Sequence, residues 1–387
     1  MARQDACLNL LALAALAMLA APAHAQELFA LEDVKGDDVG TGALIYPNRD
    51  DMKPGDLDLV RLSAEKRSDG VWFVVEMQQP IRSPVGRVTE LGQTPIERLA
   101  RNGFYTFNVD IYVDTDRIAG AGETLTVPGR GVAVDRNFAW EKAIVLTPRP
   151  DIARTMMQMH FDEQFEAELR AEKGRTSKED LKDVEGRSEK RVNDLYFFPT
   201  KVRVSGRQVE FMVPTEFLGG VPEPSWAYTV LVTGTDLEQT GRPGNLGSRR
   251  PTMMTMGVAR GVRWSQWGIR SDADEATPPV IDILSPDPDV QPTVLADFDV
   301  VAGRLAAVPG LAPDGNVAVA ATGKPLTMEQ AARIDSAAGG SAPVPAAGAA
   351  ERRTVPARLR TLNQLLEDGL ITQAEFNELR RKILAEL

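Results

Sequence analysis

Short runs of alternating apolar and polar residues recur along much of the chain. The clearest are residues 71–77 and 104–113, in which every second residue is apolar and would fall on one face of a strand. Runs of similar length, bounded by Gly, Pro or Asp, occupy residues 57–62, 143–146, 202–204, 209–213 and 228–233. Many short strands separated by turns predict a mainly β protein, a two-sheet antiparallel β-sandwich within residues 26–300.

One segment interrupts this strand pattern. Residues 151–195 are rich in charged helix formers, and Phe161, Phe165 and Leu169 recur at four-residue spacing. Such spacing places apolar side chains on one face of a helix, so we expect a helical insertion between two strands. Its second half, residues 172–190, is strongly polar and favours mobility.

The composition changes near the C-terminus. Residues 301–355 are dominated by Ala, Gly, Pro and Val and are typical of a flexible linker. Residues 356–387 instead carry two apolar stripes at helical spacing. Thr372 and Glu375 form a capping box at the start of the second stripe. This pattern predicts a C-terminal α-helical hairpin.

The N-terminus resembles a secretory signal peptide over residues 1–25. An apolar run over residues 8–21 is too short to span a bilayer. It is followed by Ala23-His24-Ala25, which has the small-x-small form of a cleavage site. We expect a mature periplasmic or secreted protein that starts near Gln26, and no transmembrane segment after the signal.

Removal of that signal changes the available chemistry. The 387-residue chain has one cysteine, Cys7, and two histidines, His24 and His160, so the mature form would keep His160 alone. That excludes disulfides, thiolate zinc sites, cysteine nucleophiles and multi-histidine metal sites, and it predicts a protein that is not an enzyme. A net charge of −11 also argues against nucleic acid as a partner.

An ordered series of short motifs extends through most of the mature chain. The motifs lie at residues 36–42, 46–47, 55–59, 109–114, 127–129, 138–144, 213–214 and 279–286. This series resembles the C-terminal binding module of glucodextranase, a surface-layer-like domain. The resemblance implies a carbohydrate-binding-module-like sandwich, which often accompanies glycan-degrading enzymes. It therefore implies binding of a glycan or a cell-envelope polymer.

The tail carries a second motif, Leu-Asn-Gln-Leu-Leu-Glu-Asp-Gly-Leu-Ile-Thr-Gln-Ala-Glu-Phe at residues 362–376. This motif resembles the short C-terminal domain called SHOCT. The resemblance implies a role in self-association, as a homo-oligomer, or in docking to a protein partner. A hairpin of this size buries little surface alone, which also favours pairing through its apolar stripes.

Acidic residues cluster in a pattern that suits Ca²⁺. Calcium prefers carboxylate and carbonyl oxygens and takes six to eight of them. The candidate ligands of a structural Ca²⁺ are Glu32, Asp33, Asp37, Asp38, Asp110 and Asp114, with Asp116 next to the last of these. The alternative is a set of solvated acidic turns in which Asp serves local hydrogen bonds.

Five tryptophans offer aromatic faces that can stack on sugar rings. Trp72, Trp264 and Trp267 are the candidates for ligand binding, because the last two lie in a loop-like segment. Trp140 and Trp226 adjoin apolar strands and are expected in the core. For each tryptophan, burial in the core is the competing interpretation.

Two other functions stay open at this point. One alternative is a structural assembly factor of the envelope, whose sandwich recognises protein rather than sugar. A less favoured hypothesis is a b-type haem-binding redox subunit. Its candidate ligands are Met156, Met157, Met159, His160, Met253, Met254 and Met256.

Overall fold

The computed structural model describes residues 26–89, 94–238, 253–261, 265–269, 277–299, 304–313 and 380–381. The predicted signal peptide lies outside these ranges. So does the predicted C-terminal hairpin, except for the helical residues Arg380 and Arg381.

The described chain is mainly β, with several antiparallel sheets and few helices. Its strands are β1 (Gln26–Glu32), β2 (Leu44–Ile45), β3 (Leu59–Arg67), β4 (Gly70–Met77), β5 (Phe107–Asp114), β6 (Val132–Val134), β7 (Lys142–Leu146), β8 (Tyr196–Phe197), β9 (Val202–Ser205), β10 (Gln208–Val213), β11 (Ala227–Gly234), β12 (Val258–Arg260), β13 (Trp267–Ile269), β14 (Val280–Ile283) and β15 (Ala306–Val308). The predicted alternating runs all coincide with strands of this set.

Two five-stranded sheets dominate the topology. The first has the order β1-β3-β4-β10-β9 and is antiparallel throughout. The second has the order β14-β11-β5-β7-β8, in which only β7 and β8 run parallel. Smaller sheets join β12, β13 and β2, and β15 and β6.

The two large sheets share one hydrophobic core. Phe73 and Phe211 of the first sheet stack with centroids 5.8 Å apart, and Phe29 of β1 meets Tyr228 of β11 at 4.4 Å. Each fully buried side chain of this kind contributes about 1.5–3 kcal/mol relative to an exposed one. The alternation seen in the sequence therefore directs one face of each strand into a common interior.

A second hydrophobic cluster covers the outer face of the second sheet. All eight residues of β5 are buried, because Val109 and Ile111 face the shared core while Asp110 and Tyr112 face this outer cluster. Trp140 is 1% exposed and packs on Tyr112, as the core prediction required. The middle of the second sheet is therefore dry on both sides.

Part of that cover is the helical insertion, which the structure confirms. The helices are α1 (Pro150–Lys173), α2 (Lys178–Leu195), α3 (Thr215–Leu218) and α4 (Val290–Ala296). The polar second half, for which mobility was expected, forms a regular helix whose start Ser177 and Asp180 fix with reciprocal capping hydrogen bonds. In the described part of the chain, no helix is long and apolar enough to span a bilayer.

The predicted linker begins too early. Residues 304–313 were assigned to it, but β15 pairs in parallel with β6, and Ala306 and Val308 are buried. Leu311 also exchanges two backbone hydrogen bonds with Tyr228. An Ala- and Val-rich strand of three residues has too few positions to reveal itself by alternation, which explains the difference.

Candidate functional site

Four aspartates gather at one end of the two-sheet core. Asp33 and Asp37 follow β1, Asp58 precedes β3, and Asp282 lies within β14. One carboxylate oxygen each from Asp33, Asp37 and Asp282 lies within 4.8 Å of the others. Asp58 is fully buried and raises the pKa of both Asp33 and Asp282. These four residues are called the acidic cluster below.

Backbone amides hold the acidic cluster in place. Asp33 Oδ1 accepts hydrogen bonds from the N–H groups of Ser285 (2.8 Å) and Val34 (2.9 Å). Asp282 Oδ2 accepts from the N–H of Leu59 at 2.7 Å. Asp58 Oδ2 likewise accepts from the N–H of Gly36. Segments distant in sequence are therefore tied together around the carboxylates.

The local electrostatics disfavour charge on these carboxylates. Burial, with smaller contributions from neighbouring carboxylates, raises the pKa of Asp33 to about 9, of Asp58 to about 7 and of Asp37 to about 6. The pKa of Asp282 is also raised, first by burial and then by the charge of Asp33. The positive charge that lowers the pKa of Asp58 is that of Lys35, which is exposed.

The sequence identified half of the acidic cluster. Asp33 and Asp37 were among the candidate calcium ligands, whereas Asp58 and Asp282 were missed. A signal did exist for Asp282, because it interrupts the apolar run Val280-Ile281-Asp282-Ile283. A buried aspartate in such a run needs a compensating partner.

The remaining candidate calcium ligands have other partners. Glu32 is 70% exposed and pairs with Arg61. Asp38 accepts hydrogen bonds from the Tyr46 hydroxyl and from the N–H of Gly55. Both oxygens of Asp110 accept from Arg130. Among the described residues, none of these three belongs to a group of carboxylates that lie close enough together to share a metal ion.

Asp114 belongs to a second acidic group, with Asp116 and Glu141, at the opposite end of β5. Here an arginine is already present, since Arg117 Nε lies 3.2 Å from Asp114 Oδ2. Glu141 Oε2 accepts from the N–H of Thr115 at 2.8 Å, while its Oε1 is buried without a hydrogen-bond partner. Burial, followed by the charges of Asp116 and Asp114, raises the pKa of Glu141 to about 8.

We expect Glu141→Gln to stabilise the protein at alkaline pH. Because the folded-state pKa of Glu141 lies above its ordinary value, its contribution to stability is full below about pH 4.5 and is lost as the pH rises towards 8. The variant removes that loss, which includes the repulsion from Asp114 and Asp116 and amounts to about 4 kcal/mol at pH 8.5. Urea unfolding of the wild type and the variant at pH 5 and pH 8.5 measures this difference in the free energy of unfolding.

Glu168→Gln is the matched control for that experiment, because Glu168 is 55% exposed on α1. Its unfolding free energy should follow that of the wild type at both pH values. An equal effect of Glu141→Gln at pH 5 and pH 8.5 would contradict the assignment of the titrating group.

The described tryptophans are covered. Trp267 is fully buried, and its ring meets Tyr46 edge-to-face with centroids 4.8 Å apart. Trp72 is 7% exposed, and the cations of Arg67 and Lys201 lie 4.5 and 5.1 Å from its ring centroid. Sugar stacking on either ring would therefore require other side chains to move. Trp264 lies outside the described residues.

Trp226, predicted in the core, is 6% exposed and belongs to it. Five of the methionines considered as haem ligands are buried and pack in the hydrophobic clusters. These are Met156, Met157, Met253, Met254 and Met256. The His160 ring packs against Phe161.

A small cleft of mixed polarity lies beyond the end of β11, with a volume of about 30 Å³, room for one or two water molecules. Its walls combine the polar residues Arg49, Thr89, Tyr105, Thr235 and Ser265 with the apolar residues Ile96, Leu237 and Met256. Tyr105 donates a hydrogen bond to Asp51 at 2.7 Å, and Arg49 pairs with the same carboxylate. Thr235 Oγ1 is buried and has no hydrogen-bond partner. Convergent polar groups of this kind can hydrogen-bond the hydroxyls of a ligand.

Comparison with protein families identifies the fold that carries these features. The model of the C-terminal binding-module, SLH-like, of glucodextranase matches residues 28–310, well over half of the chain. The chain belongs to this family. The glucodextranase C-terminal module is a binding module and not a catalytic domain. Its match ends at residue 310 and so includes β15, in agreement with the folded state of that strand.

A second family model, the short C-terminal domain SHOCT, matches residues 357–384. Both resemblances drawn from the sequence are thereby confirmed. A search of curated proteins found no significant match to this member of the glucodextranase C-terminal module family.

Proposed function

We propose that this chain is an exported, non-catalytic binding protein whose two large sheets form a β-sandwich that binds a carbohydrate or another cell-envelope polymer. The observation that carries the proposal is membership of a binding-module family over residues 28–310. The surface-layer-like character of that family supports a place outside the cytoplasm. The predicted signal peptide, residues 1–25, would direct export from the cytoplasm.

The mouth of the small cleft beyond β11 is the proposed polymer site, because the cleft itself is too small to enclose a sugar ring. Loops at the ends of strands form it, and ligands commonly bind where loops converge on a rigid scaffold. The Thr235 hydroxyl is buried and unpartnered beneath the cleft, so a sugar hydroxyl would reach it through a bridging water molecule. Trp264 directly precedes the cleft residue Ser265 in sequence and stays the candidate for a stacking aromatic.

The C-terminal hairpin, residues 356–387, is proposed to oligomerise the protein or dock it to a partner. If each copy binds its polymer weakly, several linked copies bind far more tightly without new contacts. The second candidate function, an envelope assembly factor without sugar binding, rests on the same hairpin. The two differ in whether the sandwich itself binds polysaccharide.

A panel of envelope and storage polysaccharides tests the proposal on the full chain. We expect binding to at least one polymer, and about a tenfold loss of affinity in Thr235→Val, since a hydrogen bond contributes about 1 kcal/mol or more. Thr155→Val makes the same chemical change on α1 and should bind like the wild type. Deletion of residues 356–387 should reduce apparent affinity on immobilised polymer and abolish oligomers in sedimentation.

Two results would count against the proposal. Absence of binding across the panel, with oligomers that depend on residues 356–387, would favour the assembly factor. Binding that survives Thr235→Val unchanged would remove the cleft as the polymer site.

A further inference from the structure

Each residue of the acidic cluster keeps one carboxylate oxygen without a hydrogen-bond partner. Asp33 Oδ2, Asp37 Oδ1, Asp58 Oδ1 and Asp282 Oδ1 are all buried, and each has no hydrogen-bond partner. Asp58 and Asp282 are both 0% exposed. Polar atoms buried in this way cost free energy unless something compensates them.

The paired oxygens explain why the free ones stay in position. In Asp33, Asp58 and Asp282, one carboxylate oxygen accepts a backbone N–H and the other is left free. Such hydrogen bonds fix the orientation of each carboxylate without using all of its acceptor capacity. The cluster is therefore preorganised for a further electropositive group.

Protein cations do not supply that group. Within the described ranges, no Lys or Arg forms a salt bridge with Asp33, Asp37, Asp58 or Asp282. The second acidic group differs, because Arg117 pairs with Asp114 there. Buried carboxylates that lack such a partner must either bind a metal ion or take up protons.

We propose that Asp33, Asp37 and Asp282 bind one Ca²⁺ ion, because one carboxylate oxygen of each lies within 4.8 Å of the other two. Hard carboxylate oxygens alone suit Ca²⁺ better than Zn²⁺, which favours nitrogen and sulfur ligands. A set of protein carboxylates also suits Ca²⁺ better than Mg²⁺, which usually keeps several waters and is bound by one or two carboxylates.

Bound calcium would join segments that are far apart in sequence. The loop after β1 and strand β14 contribute the three carboxylates, and the buried Asp58 before β3 lies beside them. Gln291 already links two of these segments, since its Oε1 accepts from the N–H of Ile283 at 2.7 Å and its Nε2 donates to Asp37 O. The ion would therefore stabilise the whole module, whatever polymer it binds.

Calcium titration of the full mature chain, after chelator treatment, tests the proposal. At a free Ca²⁺ concentration about a hundredfold above Kd, we expect the melting temperature to rise by about 5 °C or more. Isothermal titration should give a stoichiometry of about one, and an equal Mg²⁺ concentration should give a smaller rise.

Two variants make the assignment specific. Asp282→Asn keeps an acceptor for Leu59 but removes the carboxylate that would bind the ion, so it should melt no lower than chelated wild type and lose the calcium-induced rise. Asp33→Asn keeps an acceptor for Ser285 and Val34, should behave in the same way, and serves if Asp282→Asn does not fold. Glu32→Gln, adjacent to the cluster but 70% exposed, is the matched control and should keep the full response.

Three outcomes would overturn the proposal. One is the absence of both calcium binding and a melting shift. Another is a calcium response that persists in both variants. The third is a melting temperature that ignores calcium but rises on acidification, which would mean that protons and not a metal neutralise the cluster. Polysaccharide binding is measured separately, so failure of the polymer proposal would leave this result unaffected.

Discussion

Replacing Arg130 with methionine is expected to lower the free energy of unfolding by about 3–5 kcal/mol, because the change leaves Asp110 as an uncompensated buried charge. Arg130 is 0% exposed, and its Nη2 donates to Asp110 Oδ1 at 3.0 Å. Its Nη1 donates to Met253 O at 3.1 Å and to the Thr255 hydroxyl. One side chain therefore joins β5 to the segment that precedes β12.

The backbone of that segment makes the loss larger. Met253 and Met254 have φ values of 47° and 55°, in the left-handed region that non-glycine residues seldom adopt. Such residues persist where the surroundings hold them, and Arg130 supplies part of that hold. Without it, we expect faster hydrogen exchange at residues 253–256 as well as lower stability.

A double-mutant cycle gives the control. Asp110→Leu combined with Arg130→Met removes both charges, so it should be less destabilised than Arg130→Met alone. Guanidinium unfolding measures Arg130→Met, Asp110→Leu and the double variant beside the wild type. Strictly additive losses would show that the two side chains do not depend on each other.

Trp267→Ala is expected to cost about 3–5 kcal/mol, as is typical when a large aromatic side chain is removed from a core. The Trp267 ring contacts Tyr46 and belongs to the core shared by the two large sheets. It also fits closely over Gly234, where an added Cβ would lie 2.8 Å from Trp267 Cζ2. Because Gly234 has no side chain, it could not fill the cavity that the alanine variant would leave.

This variant also separates the two interpretations of Trp267. A core residue should change stability, measured by urea unfolding at 25 °C, and leave polymer affinity intact under conditions where the variant is folded. Leu125→Ala is the control, because Leu125 is 52% exposed and its loss should stay within about 0.5 kcal/mol. Near-native stability with lost polymer binding would instead make Trp267 a stacking surface.

Sequence periodicity predicted the strands well where they alternate and are long enough to count. Residues 71–77 and 104–113 became β4 and β5 because each strand directs one apolar face into the shared core. Strands of two or three residues, such as β2 and β15, have too few positions to establish a period. The pairing of β14 with β11 depends on contacts between distant segments, which local patterns do not encode.

The same limit applies to the site. Asp33 and Asp37 were found because they are neighbours in sequence, and Asp282 was missed because its neighbours are in other segments. Trp267 was interpreted as a loop residue because the glycine that accommodates it, Gly234, is more than thirty positions away. Local composition thus identifies donor atoms and rings, whereas only the folded chain decides what surrounds them.

The late position of β14 and β15 in the chain has a consequence for biogenesis. A ribosome completes the polypeptide from its N-terminus, yet the second sheet lacks its edge strand until residues 280–283 have been made. Parallel pairing with β6 must wait for residues 306–308. A nascent chain shorter than this exposes unpaired strand edges, so any chaperone or transport machinery would meet it in an unfinished state.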